Sequence, residues 1–370
     1  MSVPIVRRSL WHDKSKLTLH IVGIAASLML ITLLVGFREG MYASLTAYID
    51  HAGADLVVSQ IGSRGLFYAN SGLPATLHQD IETVPGTTEI DHVVVGDTIF
   101  THANIKLPVL VIGYNPETGF GGPWNIGSGR TLQGDDEILL DSWLAWRSGV
   151  AVGDRVNVLG SEFTVVGLTR ETASWMSPYI FMPLASAEDV LQLSGDASFF
   201  LLRLSPSANR DVVAETITTA FSDTAVFTPD EMAATDRKFM ATILDRPIGV
   251  MLIISAVIAI AVTGLIIYTS IINRLAEFST LKAIGSSNNW LRWLVVRETL
   301  SRALLGFVLS LALSYLAAEL IEYVWPQFTV TIRPEIIPVI GLAALIMTLV
   351  SALWPIQQIA NVDPSVVFRA

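Results

Sequence analysis

"IGVMLIISAVIAIAVTGLIIYTSII", residues 248–272, runs for 25 residues without an Asp, Glu, Lys or Arg, and Asn273-Arg274 ends it abruptly. Roughly 20 apolar residues in a helix cross the hydrocarbon core of a bilayer. The stretch therefore reads as a membrane span, and the rest of the chain must supply its companions.

Three other blocks do so. Leu17–Phe37 is 21 residues whose only ionisable side chain is His20. Ala303–Ala318 is charge-free and extends through Leu320–Val324 if Glu319 and Glu322 lie at the interface or face protein. Ile336–Val362 is again free of charge. Charged residues make up 15% of the 370-residue chain, against about 25% in soluble proteins, and the deficit is confined to these blocks. The expected architecture is an α-helical membrane protein with four transmembrane helices. A large α+β extracytoplasmic domain is inserted between the first and second.

The first block, flanked by Arg7, Arg8, Lys14 and Lys16, has the basic start of a signal peptide. Its apolar run is too long for one, and Arg38-Glu39-Gly40-Met41 offers no small-residue cleavage site. A retained helix is expected. Lys and Arg set orientation. Four basic residues precede the first block and five (Arg274, Lys282, Arg292, Arg297, Arg302) follow the second, whereas Arg333 stands alone between the third and fourth. Both termini and the 273–302 segment are thus expected in the cytoplasm, in a multi-pass protein of the inner or plasma membrane. The boundaries are a cytoplasmic amphipathic segment at 1–16, spans at 17–37, 247–272, 299–323 and 336–357, and an external insert at 38–246. A cytoplasmic segment at 273–298, a short external loop at 324–335 and a cytoplasmic tail at 358–370 complete the chain.

The insert carries 12 Lys/Arg and 26 Asp/Glu. That balance excludes nucleic acid as a partner, because phosphate binding needs positive patches. The absence of cysteine leaves the insert to a core of its own, without disulfides. Strands are expected at Leu56–Ser59, Val93–Val95, Val109–Ile112, Ile138–Leu140, Arg155–Leu159 and Glu162–Leu168, the last two forming a hairpin around Gly160-Ser161. Helical spacing marks Pro74–Val84, Asp211–Phe221 and Glu231–Leu244. Helical ends around a β-rich centre suggest a first lobe at about 38–95 and 206–246 and a second at about 96–205.

Chemistry is sparse. No Lys follows a Gly, so there is no Walker A loop and no enzyme activity is expected. The six histidines never adopt metal-ligand spacing; His92 and His102 meet only if two strands bring them together. Gly119–Gly129 lacks phosphate-loop spacing and reads as a flexible loop, and Asp135-Asp136-Glu137 with Asp141 as a solvated strand start. No catalytic residue and no metal site are expected. The second and fourth spans hold no ionisable group, which disfavours a channel or proton-coupled carrier. Thr263, Gly264, Thr269 and Ser270 suit helix–helix contacts instead.

The polar segment after the second span carries the most specific signal. Leu275, Phe278, Leu281 and Ile284 give a short helix an apolar face, and Arg274 pairs with Glu277 at i,i+3. Glu277 and Lys282 are too far round the helix to pair, leaving at least one for an outside partner. Gly285 suits a left-handed cap, and Ser287 or Asn288 caps the next helix.

Asn273–Ser287 resembles the cytoplasmic segment of MacB/FtsX-type (type VII) ABC transporter permeases. Their E-x-x-x-L-[RK]-A-[IL]-G-[AS] core is matched by Glu277, Leu281, Lys282, Ala283, Ile284 and Gly285. Pro355–Arg369 resembles the family's closing segment, with Asp363, Pro364 and Arg369 in place, although Gln357 and Gln358 stand where arginine is common. Gly53–Val58, Gly129–Leu132, Gly149–Val156 and Phe163–Gly167 are similar to the family's external domain; Val35-Gly36-Phe37 and Gly53–Val58 are most similar to its DevC-like branch. The resemblance implies a permease subunit that works as a dimer with a separate cytoplasmic ATPase. That partner holds ATP and Mg, and this chain holds no cofactor. Movement of the external domain would then extrude a lipid, glycolipid, peptide or other amphiphile, in some members with a periplasmic adaptor. Arg274, Glu277, Phe278, Leu281, Lys282, Ala283, Ile284 and Gly285 would contact the ATPase, joined by Asp363, Pro364 and Arg369. Membrane lipids are implied partners. The alternative is a regulator that transports nothing and activates a cell-envelope enzyme.

Overall fold

The computed structural model describes residues 14–63, 65–66, 71–174, 177–325 and 328–360. Among these, four helices are long and apolar enough to cross a membrane. They are α1 (Lys14–His51), α6 (Pro229–Ile272), α8 (Asn288–Val324) and α9 (Ile337–Ala360), the last preceded by a 3-10 turn at Pro334–Ile336. The insert separates the first from the second. Between them in chain order lie α2 (Leu77–Glu82), α3 (Ser142–Ser148), α4 (Leu184–Leu191) and α5 (Arg210–Ala220), and α7 (Leu275–Ala283) joins α6 to α8.

Three of the four helices are longer than the apolar runs alone suggest, the third starting at Asn288, ahead of Arg292, Arg297, Glu298 and Arg302. The first continues through the charged Arg38-Glu39 to His51. In the second, the helix expected at 231–244 and the span form one element of 44 residues with Pro247 inside it. A proline withdraws one donor from the helix ladder, but it does not end this helix.

The described residues divide into two compact units, one within 14–40, 245–325 and 330–360, the other within 41–244 and 328–329. In the first unit, close approach of helices relies on glycine, as packing within lipid favours. A Cβ on Gly306 would lie 2.8 Å from Ile24, and one on Gly23 2.8 Å from Ile266. Ile24, Leu28 and Ala344 are buried together beside Ile266 and Phe307. A second cluster (Ile267, Ile271, Phe278, Leu291, Val295, Ala352) gathers residues of α6, α7, α8 and α9. Ile253, Leu265, Val308, Leu316 and Leu353 stay at least half exposed, as side chains bathed in hydrocarbon do. Of the four small residues expected at helix contacts, Gly264 lies against the Ser351 carbonyl, Thr263 is buried and Ser270 accepts from Arg302. Thr269 bonds only its own helix, at the Leu265 and Ile266 carbonyls.

The second unit is a mixed sheet of β1 (Leu56–Gln60), β3 (Thr87–His102), β4 (Ile105–Tyr114), β5 (Ile126–Gly129), β6 (Glu137–Asp141), β7 (Arg155–Val158), β8 (Ser161–Thr169), β9 (Tyr179–Pro183), β11 (Phe199–Leu204) and β12 (Thr224–Phe227). The short β2 (Leu73–Pro74) and β10 (Asp196–Ala197) pair separately, so Pro74 belongs to a strand and the helix expected from it begins at Leu77. The main order is β12-β1-β11-β3-β4-β9-β6-β8-β5, and β7 pairs with both β8 and β3. Following β3, β4, β9, β6, β8 and β7 back to β3 therefore closes a six-stranded ring around Phe100, Val111, Leu140, Val158, Val165 and Ile180.

Strand alternation builds two further cores. Val57 and Leu201 face the cluster holding Tyr48 and Met232, and Leu56, Val58, Phe200 and Leu202 face α2 and α5 through Ile81, Val213 and Ile217. β11 falls within 96–205 by sequence, but it pairs with β1 and the first half of β3, so it belongs to the first lobe's sheet. The lobe boundary runs through β3, whose second half from Val94 pairs with β4.

The glycine-rich run is not a free loop. Gly121 adopts φ +77, its carbonyl accepts the Tyr48 hydroxyl at 2.9 Å, and a Cβ there would strike Val93 and Leu201. Ile126–Gly129 pairs with β8.

Candidate coupling site

The helix α7 starts and stops where its sequence dictates. Arg274 sits at the N-cap, and its Nε donates to Glu277 at 2.8 Å, so the first-turn acid lies near the positive end of the helix. At the other end Gly285 takes φ +99. Its N–H reaches the Lys282 carbonyl and the Ser286 N–H reaches the Leu281 carbonyl, both at 3.0 Å. That pair of bonds is a Schellman cap, which satisfies carbonyls the helix leaves open. Ser287 then caps α8, its hydroxyl accepting from the Trp290 N–H at 3.3 Å.

The helix buries Phe278 and Ser279, and Phe278 is its apolar anchor. Phe278 is 1% exposed and packs with Ile267, Ile271, Leu291 and Val295, while Leu281 is half-buried at the edge of the same cluster. The expected apolar face does not extend further. Ile284 lies past the last helical residue, where the chain turns toward Gly285, and it is 75% exposed. Ala283 and Glu277 are also exposed. Lys282 is half-buried and has a partner of its own. With Glu277 paired to Arg274, the spacing argument for an unsatisfied charge does not apply. Asp363, Pro364 and Arg369 lie outside the described residues.

Arg274 reaches across to α8. Its Nη1 donates to both oxygens of Glu298, at 2.8 and 3.0 Å, while its guanidinium lies 5.4 Å from the Phe278 ring centre. Burial opposes the charge on Arg274, but the bond to Glu277 and the charge of Glu298 outweigh it and leave its pKa above the usual value. Glu298 also accepts from Arg302 Nη2 at 2.8 Å, and Arg302 Nη1 contacts Ser270 Oγ at 3.1 Å and His20 Nδ1 at 3.3 Å. Neither Glu298 nor His20 stood out in the sequence as part of a site. The signal available was i,i+4 spacing of Glu298 and Arg302 at the start of an apolar run.

The insert contributes no comparable cluster. His92 and His102 lie on one strand; His92 instead sits 5.8 Å from the His78 ring and 3.9 Å from Glu188. Burial and the neighbouring His78 lower its pKa. Among the described residues, no group of three or more His, Cys, Asp or Glu is placed to hold a metal. Asp135 and Asp136 are exposed, as a solvated strand start requires, but Glu137 and Asp141 are not. Glu137 is bound by Arg130 at 2.7 Å, and Asp141 is buried, capping α3 through the Trp143 N–H and accepting from Thr172.

A bundle of membrane-length helices, an α+β insert after the first and a capped amphipathic turn after the second define a multi-pass permease subunit. Residues 17–220 match the MacB-like periplasmic core domain and residues 249–364 match the FtsX-like permease C-terminal domain. The chain belongs to the MacB/FtsX-type permeases of ABC transporters, a class of transporter component that works with a cytoplasmic ATPase. It is similar to an ABC transporter permease of Mycobacterium tuberculosis, at 22% identity over 98% of this chain and 97% of the relative. It is also similar to one of Mycobacterium bovis, at 23% over 96% of each. The periplasmic region of MacB from Actinobacillus actinomycetemcomitans aligns with 49% of this chain and 91% of that one, at 13% identity and a TM-score of 0.40.

Proposed function

We propose that this permease couples ATP hydrolysis by a separate cytoplasmic ATPase to movement of the insert on the other face of the membrane. In this reading it works as a homodimer and extrudes a lipid, glycolipid, peptide or other amphiphile by mechanotransmission. Both termini and α7 lie in the cytoplasm of a cell whose inner or plasma membrane holds the spans. A periplasmic adaptor is a further partner where an outer membrane must be crossed. The chain itself performs no catalysis and binds no cofactor; ATP and Mg belong to the ATPase.

The observation that supports this most is the division of α7. Phe278 is buried and Arg274 is tied to α8, whereas Glu277, Ala283 and Ile284 face away from the packed cluster. A helix fixed by one side and bare on the other is built to receive another surface. Leu281 and Lys282 hold its shape, Gly285 ends it, and Asp363, Pro364 and Arg369 supply a second contact from the tail.

Purification of the full chain in mild detergent from its native cells tests the reading. A Walker A protein is expected to accompany it, and Glu277→Arg with Ile284→Asp is expected to release that protein while the permease stays folded. A wild-type permease that never retains an ATPase, or that retains an envelope enzyme on its insert with no effect of ATP, would favour the regulator and sink the coupling reading.

A further inference from the structure

The backbone joins α7 only to α6 and α8, yet its strongest polar attachment is to a carboxylate 24 residues from Arg274. The Glu298 side chain is 6% exposed and is shared by two guanidinium groups. Through Arg302 the same carboxylate is linked to Ser270 near the end of α6 and to His20 on α1. One buried anion thus gathers polar groups from α1, α6 and α8 and from the N-cap of α7. A small cavity lined by Ser270, Arg274, Phe278, Glu298, Thr299 and Arg302 adjoins it. The Nε of Arg302 is buried and makes no hydrogen bond there.

The two kinds of contact at α7 respond differently to a push. The packing of Phe278 is non-directional and resists sliding weakly. Arg274 spans Glu277 through Nε and Glu298 through Nη1, and Arg302 spans Glu298 through Nη2 and Ser270 through Nη1. These bonds are directional on a rigid guanidinium, and separating buried charges of opposite sign is costly. A displacement of α7 that carries Arg274 along must therefore carry Glu298, and with it α8, or break the cluster.

We infer that Glu298 is a positioning residue, the latch through which displacement of α7 reaches α8 and, by Arg302, α1. This rests on the reading of α7 as the helix that the ATPase moves. Glu298 touches neither nucleotide nor cargo and acts through the two arginines.

The test uses the full complex with its ATPase in lipid nanodiscs and the variant Glu298→Gln, which keeps shape and removes charge. Three quantities are read: retention of the ATPase, the rate of ATP hydrolysis, and the ATP-dependent change in hydrogen exchange across residues 41–244. The latch predicts near-wild-type retention and continued hydrolysis, with the exchange difference reduced about five-fold or more, the low end of a typical coupling free energy. Glu298→Asp, which restores the charge, is expected to recover much of it. A mere structural staple would lower retention, hydrolysis and melting temperature together, and that pattern overturns the proposal, as does a full exchange difference in Glu298→Gln. Should Glu298→Gln fail to assemble, Arg302→Lys decides in its place: it keeps the charge and loses the guanidinium that holds Glu298, Ser270 and His20 together. A lost difference with the ATPase retained supports the latch, and an unchanged one overturns it. A wild-type complex with no ATP-dependent difference refutes the coupling reading itself and the latch with it.

Discussion

Phe278 and Ile284 belong to one apolar repeat in the sequence, yet Phe278 is 1% exposed and Ile284 75%. The first belongs to the permease's own core and the second does not, so the two residues should fail in different ways. Phe278→Ala removes a large buried side chain, a change that costs about 3–5 kcal/mol. It is expected to lower the melting temperature of the detergent-solubilised chain by several degrees. Ile284→Ala should leave that temperature unchanged and weaken only retention of the ATPase. Equal melting of the two variants would contradict the division of α7.

The cap at Gly285 gives a second prediction. Its φ of +99 is a conformation side chains avoid, and nothing lies within 4 Å of the position a Cβ would take. The penalty is then purely one of backbone, about 1 kcal/mol for alanine, and asparagine tolerates left-handed conformations better. Stability and ATP-dependent activity should rank glycine above asparagine and asparagine above alanine. An alanine variant equal to wild type in both would show that the cap does not set the course of the chain into α8.

The cap, the Arg274–Glu277 pair and the Ser287 N-cap were legible because each depends on residues within one turn of one another. Four spans were legible because lipid forbids charge over a fixed length. The Arg274–Glu298 bond was not, since it depends on how α7 folds back on α8, which no local spacing encodes. Ile284 was misjudged for the opposite reason: periodicity continued past the point where Gly285 turned the chain. In the insert, hairpin neighbours such as β7 and β8 could be read. The placement of Phe199–Leu204 between β1 and β3 could not, because its partners lie more than 100 residues away in the chain. Asp135 and Asp136 are solvated as read, but Glu137 is not, because sequence does not show Arg130 folding back onto it.

That Arg130–Glu137 contact predicts a pH dependence. The hydrogen bond from Arg130 holds the Glu137 carboxyl at about 2, below its usual value of 4.5, helped by the Gln133 and Gly134 N–H groups. A carboxyl whose pKa falls on folding contributes stability that is complete above its unfolded value and is lost as pH drops toward the folded one. The contribution is therefore constant at neutral pH and decays between about 4.5 and about 2. Glu137→Gln should flatten that part of the acid-unfolding curve, followed by tryptophan fluorescence of the full chain, and leave its upper part parallel to wild type. An identical slope in both proteins through that interval would show that the pair contributes nothing on folding.

Glycine at 36 and glycine at 249 provide the last prediction. The Gly36 carbonyl accepts from the Thr331 N–H at 2.9 Å, and a Cβ on Gly36 would lie 2.9 Å from Val330 and 3.2 Å from Ile332. The segment from Val330 to Ile332 is thus laid directly on α1, secured further by Glu322 accepting the Val330 N–H at 3.0 Å. No atom lies within 4 Å of a Cβ placed on Gly249, inside α6. Gly36→Ala forces the segment outward, and overpacking of this kind costs about 1–3 kcal/mol. Gly249→Ala meets no obstacle and gains helix propensity, about 1 kcal/mol in the other direction. The melting temperatures of the two variants should therefore move apart on either side of wild type, and hydrogen exchange at 328–333 should rise only in Gly36→Ala. If Gly36→Ala leaves that exchange unchanged, the contact between the segment and α1 is not what holds the segment in place.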